Sequence, residues 1–271
     1  MPYFDFEGHR LAYREFGEGP RVTLLLHGLL FSQRMHHPLA EHLAERDHRV
    51  LTLDLLGHGR SDQPADMSLY SMPFFARQAV ALLDHLAVDQ AVVGGTSLGA
   101  NVTLEVAAAA PERVRGMVVE MPVLDHALLG CALAFTPLMV ALTFGEPLVR
   151  ALSRAVRLVP NGRLPFLADI VAEVLQRDPA PSAAVIQGLF FGRTAPHRTE
   201  RVAFGAPTLV IGHKRDPIHP FSDSDMLVRE LPEARLVEAG SIIEMRVAPE
   251  RLTAEIGRFV AGCWRPQRAA A

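Results

Sequence analysis

Residues 91–101 read AVVGGTSLGAN. An apolar run, Ala91-Val92-Val93, passes through two glycines, a threonine and Ser97 into a helical pattern over 99–110 that stops at Pro111. A buried strand entering a helix through G-x-S-x-G, here Gly95 to Gly99, needs small residues because side chains at either glycine would collide with neighbouring elements. A serine in that turn sits on sharply bent, often strained backbone. The helix N-terminus beneath it offers N–H groups and a positive dipole end to an anion. Ser97 is therefore the candidate nucleophile.

Outward from this turn the same rhythm continues. A hairpin is expected from 3–6 and 10–16 around Glu7-Gly8, with buried strands at 22–26, 50–53 and 116–120 and helices near 35–46 and 73–87. Short Val- and Leu-rich runs alternating with helices predict an α/β fold, a mostly parallel sheet covered on both faces. Between about 123 and 202 the alternation stops. Helical stretches there are punctuated by Pro137, Pro147, Pro160, Pro165, Pro179 and Pro181. It resumes with strand 207–212, helix 221–231, strand 235–238 and helix 249–262. The expected organisation is a core of 1–122 and 203–264, an inserted helical cap over 123–202, and a flexible tail over 265–271.

The chain has 271 residues, a formal net charge of −3 and 49% hydrophobic residues, enough for a sizeable core in one large α/β domain. A weakly acidic, mixed-sign chain gives no reason to expect a nucleic-acid partner. Its two cysteines, Cys131 and Cys263, form no disulfide framework or metal spacing. They read as reduced, buried thiols in a cytoplasmic protein. The N-terminal MPYFDFEGHRLAYREFG lacks the basic-then-apolar pattern of a signal peptide. Residues 127–145, ALLGCALAFTPLMVALTFG, carry no charge and approach spanning length, but Pro137 is expected to interrupt them and Gly130 and Gly145 to weaken them. A lid over a greasy pocket is the reading taken, with loose contact with a membrane surface left open.

Four motifs occur in order: LLLHGLL at 24–30, DLLGHGRSD at 54–62, GGTSLGAN at 94–101 and PTLVIGHKRDPIHP at 207–220. Together they make the chain resemble the α/β-hydrolase family from about Tyr3 to Val260. The resemblance implies that the backbone N–H groups of Leu29 and Leu98 are oxyanion donors, and that His27 and His58 orient loops rather than act as bases. It places the acid at Asp216, with Glu120, at the end of its strand, as the alternative. A serine in the elbow argues against a dehalogenase or epoxide hydrolase of this fold, which would want a carboxylate there.

One departure from the family is plain. After strand 235–238 a relative would carry the catalytic histidine, whereas this chain reads Gly240-Ser241, or Ile242 if the register shifts by one. None of these can take a proton from Ser97, and a bare serine hydroxyl is a poor nucleophile at neutral pH. Three readings compete. His219, three residues after Asp216, substitutes as base; its place borders the pocket in the family, where an apolar residue is usual. Glu244 reaches back, which would require burial to raise its pKa. Or hydrolysis has been lost and the pocket binds or transforms an apolar molecule by other means. His36, His37, His126 and His213 are weaker candidates.

The cap sequence is apolar, from Leu128 through Phe144 and again at Leu189–Gly192, and most of it is expected to pack against the main domain. No lysine or arginine cluster accompanies the motifs. The expectation is a hydrolase of an apolar ester or related acyl compound using Ser97, His219 and Asp216, with no metal or organic cofactor.

Overall fold

The computed structural model describes residues 1–158, 162 and 164–265. Pro160 and all of the expected tail beyond Arg265 lie outside the described residues. Strands β1 (Tyr3–Phe6), β2 (His9–Phe16) and β3 (Arg21–Leu26) lead through helix α1 (His37–Ala44) to β4 (His48–Leu53). Helix α2 (Met72–His85), β5 (Ala91–Thr96), α3 (Leu98–Ala109) and β6 (Val114–Glu120) complete the first part of the core. Five helices then intervene: α4 (Leu128–Phe144), α5 (Glu146–Val156), α6 (Phe166–Leu175), α7 (Pro179–Phe190) and α8 (Arg198–Arg201). The chain returns to the sheet with β7 (Thr208–His213), α9 (Phe221–Glu230), β8 (Ala234–Ala239), α10 (Glu244–Val247) and α11 (Glu250–Cys263).

The eight strands form one sheet in the order β1-β2-β4-β3-β5-β6-β7-β8. The two pairings of β2 are antiparallel and the remaining pairings parallel. Side chains alternate across it as the strand period demands. Leu24, Leu26, Val93 and Val119 face one core, which takes in Phe75 and Leu82 of α2, Leu104 of α3 and Leu227 of α9. Leu25, Val92 and Val118 face the other, against Leu39 and Leu43 of α1 and Leu252 and Ile256 of α11. The connections out of β3 and β5 leave toward opposite sides of the sheet. This reversal opens a crevice at the carboxyl ends of the central strands, and Ser97 stands at that edge.

Two expectations about the insertion fail. Helix α4 runs unbroken from Leu128 to Phe144 straight through Pro137 and stops only at Gly145. A proline removes a single ladder bond, to the carbonyl four residues earlier. Here that is Leu133, a residue exposed to water, which can satisfy the freed oxygen. Nor does most of the apolar sequence pack inward: Leu142 is the only buried residue of α4, Phe135, Leu138 and Met139 are partly buried beside it, and Leu128, Leu129, Leu133, Val140 and Phe144 are exposed. A small cluster of Leu142, Ala183, Ile186 and Leu30 joins α4 and α7 to the loop after β3. The two cysteines are free and half-buried.

Candidate active site

The elbow is built by close approach. A side-chain carbon on Gly95 would strike the backbone of Gly99, and one on Gly99 would strike the carbonyl of Leu26. Only glycines let β5, α3 and β3 meet this tightly. Ser97 between them takes φ 54° and ψ −112°, a left-handed backbone that a non-glycine residue adopts at a cost of about 1–3 kcal/mol. Neighbours hold it there: its N–H donates to the Glu120 carbonyl at 2.8 Å and its carbonyl accepts from Asn101 N–H at 3.0 Å. Leu98 is the first residue of α3, so its N–H has no acceptor within the helix. Leu29, in the turn after β3, lines the same cavity as Leu98 and Ser97.

The loop after β7 closes on the serine. Ser97 Oγ lies 2.8 Å from Nε2 of His219, and His219 Nδ1 lies 2.8 Å from Oδ2 of Asp216. The other Asp216 oxygen accepts the backbone N–H groups of Ile218 at 2.8 Å and His219 at 2.9 Å. Burial pushes the Asp216 carboxyl up, but the hydrogen bonds from the His219 side chain and backbone and from Ile218 outweigh it and leave the pKa below its ordinary value. Asp216 is thus an anion at neutral pH and can only accept, which puts a proton on Nδ1 and leaves the Nε2 lone pair facing the Ser97 hydroxyl. Both side chains are well covered, at 13% exposure for His219 and 4% for Asp216.

The other candidates are engaged elsewhere. Glu120 accepts from the Thr96 hydroxyl and pairs with Arg246, whose Nη2 lies 3.1 Å from it and 3.1 Å from Thr96 Oγ1. Burial raises the Glu120 carboxyl, yet the Arg246 charge and the Thr96 bond hold it below the usual range. Glu244 is taken by Arg251 and by the Gly240 N–H, and these bonds lower its pKa rather than raise it as a base would need. His36 hydrogen-bonds the Leu26 carbonyl, and burial followed by the Arg246 charge lowers its pKa to about 3. His37 stacks edge-on against Phe16, His126 pairs with Asp223, and His213 Nε2 stands 3.9 Å from Glu120. His27 accepts the Leu55 N–H on Nε2 and bonds the Gly28 carbonyl through Nδ1, with burial lowering its pKa to about 4. Gly240 and Ser241 sit exposed in the loop after β8.

Beside Ser97 opens a cavity of about 270 Å³. Its walls are Leu29, Met72, Leu98, Val123, Leu128, Cys131, Ala132, Phe135, Ile186, Leu189 and Phe190, with Asn101 and Thr194 the polar residues besides the serine. Sequence reading missed three residues that shape this region. Asn101 donates at 2.7 Å to both the Val123 and Thr194 carbonyls and accepts from Val123 N–H, stitching the insertion to α3. Buried Asp223 accepts the N–H groups of Leu124, His126 and Ala127, anchoring the start of the insertion. Arg246 is the third, and in sequence it reads as one of two charges, with Glu244, in a short apolar turn. Among the described residues, no group of three or more His, Cys, Asp or Glu is arranged to hold a metal ion.

A model of the α/β-hydrolase fold matches residues 22–241. The chain belongs to the α/β-hydrolase fold family. It is 30% identical over 250 residues to RutD of Azorhizobium caulinodans, which is named as a carbamate hydrolase, covering 88% of this chain and 89% of that one. It is 29% identical over 259 residues to the dihydrolipoyllysine-residue acetyltransferase component of the acetoin cleaving system of Pseudomonas putida, covering 90% of this chain and 65% of that protein. Against the mouse bifunctional epoxide hydrolase 2 it is 35% identical over 113 residues, which is 41% of this chain and 20% of that protein. The enol-lactonase of Burkholderia xenovorans LB400 superposes with a TM-score of 0.79 at 23% identity, covering 96% of this chain and all of that one. An esterase of Thermogutta terrifontis superposes with a TM-score of 0.75 at 20% identity, covering 97% of both chains. These two likenesses concern the fold.

Proposed function

We propose that this α/β-hydrolase is a serine hydrolase of neutral, apolar esters or related acyl compounds, with His219 as its base. The observation that carries the reading is the continuous relay from Ser97 through His219 to Asp216, with 2.8 Å at each step. In the reaction, Ser97 Oγ attacks the substrate carbonyl as its proton passes to His219 Nε2. The N–H groups of Leu29 and Leu98 receive the charge developing on the carbonyl oxygen. Collapse of the tetrahedral adduct breaks the acyl–oxygen bond, and the imidazolium returns its proton to the leaving alkoxide. Water, deprotonated by the same Nε2, then releases the acid and restores the serine. Asp216 stays ionised throughout and stabilises the imidazolium.

The helical insertion acts as a cap that supplies most of the apolar wall. The cavity suits a compact uncharged acyl group, since no charged side chain lines it. The names of the carbamate hydrolase and enol-lactonase relatives describe cleavage of a bond between a carbonyl carbon and a heteroatom, the class of chemistry read here. The alternative, a protein that only binds an apolar ligand, gives no reason for an acid and a base to stand in line with the serine.

The test is intact-mass analysis after incubation with a fluorophosphonate. One adduct is expected on the wild type and none on Ser97→Ala, with labelling of His219→Ala slowed by about 10³-fold or more. No adduct on folded wild-type protein would sink the reading, and unimpaired labelling of His219→Ala would move the base elsewhere.

A further inference from the structure

Among the described residues no single helix is long and apolar enough to cross a membrane, but α4 and α5 together form an apolar pair bent by 94° at Gly145. The second of these helices is packed inside out. On α5 the residues Leu148, Ala151, Leu152 and Ala155 share one side, and Arg150, Ser153 and Arg157 the other. A helix on a globular protein turns its apolar side to the core. Here Ser153 is the one fully buried residue, Arg150 ties to Asp178 and Arg157 to the Gln176 carbonyl, while Leu148 is 77% and Leu152 57% exposed. On α4, Leu129, Leu133 and Phe144 are 72%, 70% and 82% exposed. Two of the most exposed of these side chains, Phe144 and Leu148, flank the bend.

We propose that this corner docks on an anionic phospholipid bilayer. Charge selects the occupant. From Leu128 to Leu158 the chain holds one carboxylate, Glu146, against Arg150, Arg154 and Arg157. Glu146 and Asp178 are both taken by Arg150, and Asp169 and Glu173 by Arg34. Arg154 is exposed and has no ion-pair partner among the described residues. In a two-fold dimer the same patch meets itself, so a patch whose unpaired charge is cationic would face another of the same sign. Phosphate headgroups would pair with Arg154 and Arg157 instead, while the apolar corner enters the acyl boundary. The other edge of α4 bears Leu128, Cys131, Ala132 and Phe135, which line the cavity. Docking therefore sets the cavity beside the bilayer, where apolar molecules partition. The proposal stands on the packing of α4 and α5 and is independent of the reaction at Ser97.

The experiment is vesicle flotation of the full chain, with vesicles of phosphatidylcholine alone and with about a third phosphatidylglycerol. Binding to the anionic vesicles is expected, reduced at least tenfold by Leu148→Asp with Leu152→Asp and several-fold by Arg154→Glu, the latter loss vanishing at high salt. Neither leucine lines the cavity, and unchanged circular dichroism and melting would show both variants folded. Phe144→Trp, which keeps the corner apolar, gives a second reading: its emission should move to shorter wavelength when anionic vesicles are added. Wild-type protein that stays unbound in both vesicle types overturns the proposal. So does a stable dimer in sedimentation that the double leucine variant dissolves.

Discussion

Two neighbouring loops leave the carboxyl edge of the sheet, one after β7 and one after β8, and they have divided the work unequally. The first carries both Asp216 and His219, locked to one another by the two backbone N–H bonds to Asp216 and the side-chain bond. The second carries neither, leaving Gly240 and Ser241 at the surface, and leads into α10, whose Arg246 runs inward to Glu120 under the elbow. Both loops reach the neighbourhood of one serine because strands β6, β7 and β8 are adjacent in the sheet. A base at this edge is specified by a distance to Oγ rather than by a place in the chain. In the proposed reading the first loop is the chemical one and the second a brace.

If that division is right, the largest effects fall on the first loop. His219→Ala should lower kcat for a chromogenic short-chain ester by on the order of 10⁴-fold or more, close to the effect of Ser97→Ala. Asp216→Asn should lower it by about 10³- to 10⁴-fold, because the amide can present a donor to Nδ1 and reverse the tautomer. By contrast Ser241→Ala should change kcat less than twofold. Steady-state kinetics on the four variants checks the set. A Ser241 effect approaching that of His219 would return the chemistry to the second loop.

The second loop should answer in stability instead. Arg246→Met leaves Glu120 buried without its cation, a loss of about 3–5 kcal/mol, measurable as a lower urea midpoint. Glu120→Gln in the same chain should recover part of it, since the amide needs no cation and can still bond Thr96. The pH dependence has a definite sign. The folded-state pKa of Glu120 lies below its ordinary 4.5, so the stabilisation is present above that value and lost as pH falls through the folded pKa. The gap between wild type and Arg246→Met should be widest near neutrality and narrow below about pH 4.5. A gap that is flat with pH would mean the pair is not what holds the brace.

The fold was legible because the central strands β3, β5 and β6 are short, largely apolar runs and the elbow needs glycines that no other residue can replace. Asp216 was a candidate acid from the family position just after strand 207–212, and His219 a candidate base as a histidine where an apolar residue is usual. The structure brings the two within 2.8 Å of each other. What sequence alone left open between His219 and Glu244 was a distance, and distances between elements 122 residues apart follow from the sheet order. Arg246 was opaque for the same reason, its partner Glu120 being a strand-end carboxylate 126 residues away. The insertion misled in another way. Apolar sequence is usually read as buried, whereas on α4 Leu129, Leu133, Val140 and Phe144 are turned outward, and on α5 it is likewise the apolar face that is exposed.

A more modest loss is expected where the insertion meets the first loop. Helix α4 starts over that loop, and Gly130 lies close against it: a side-chain carbon there would come within 2.9 Å of the Pro217 carbonyl oxygen. Pro217 lies between Asp216 and His219, so the collision would be relieved by a shift of a few tenths of an ångström in the segment that aims Nε2 at Ser97. Misalignment of a full ångström can lower a rate about 10²-fold, so Gly130→Ala should lower kcat by roughly three- to tenfold with KM little changed. Fold stability should move by less than about 1 kcal/mol, since alanine is the better helix former and offsets part of the strain. If kcat were unchanged while KM rose, Gly130 would be shaping the cavity, and the base loop would not depend on the helix above it.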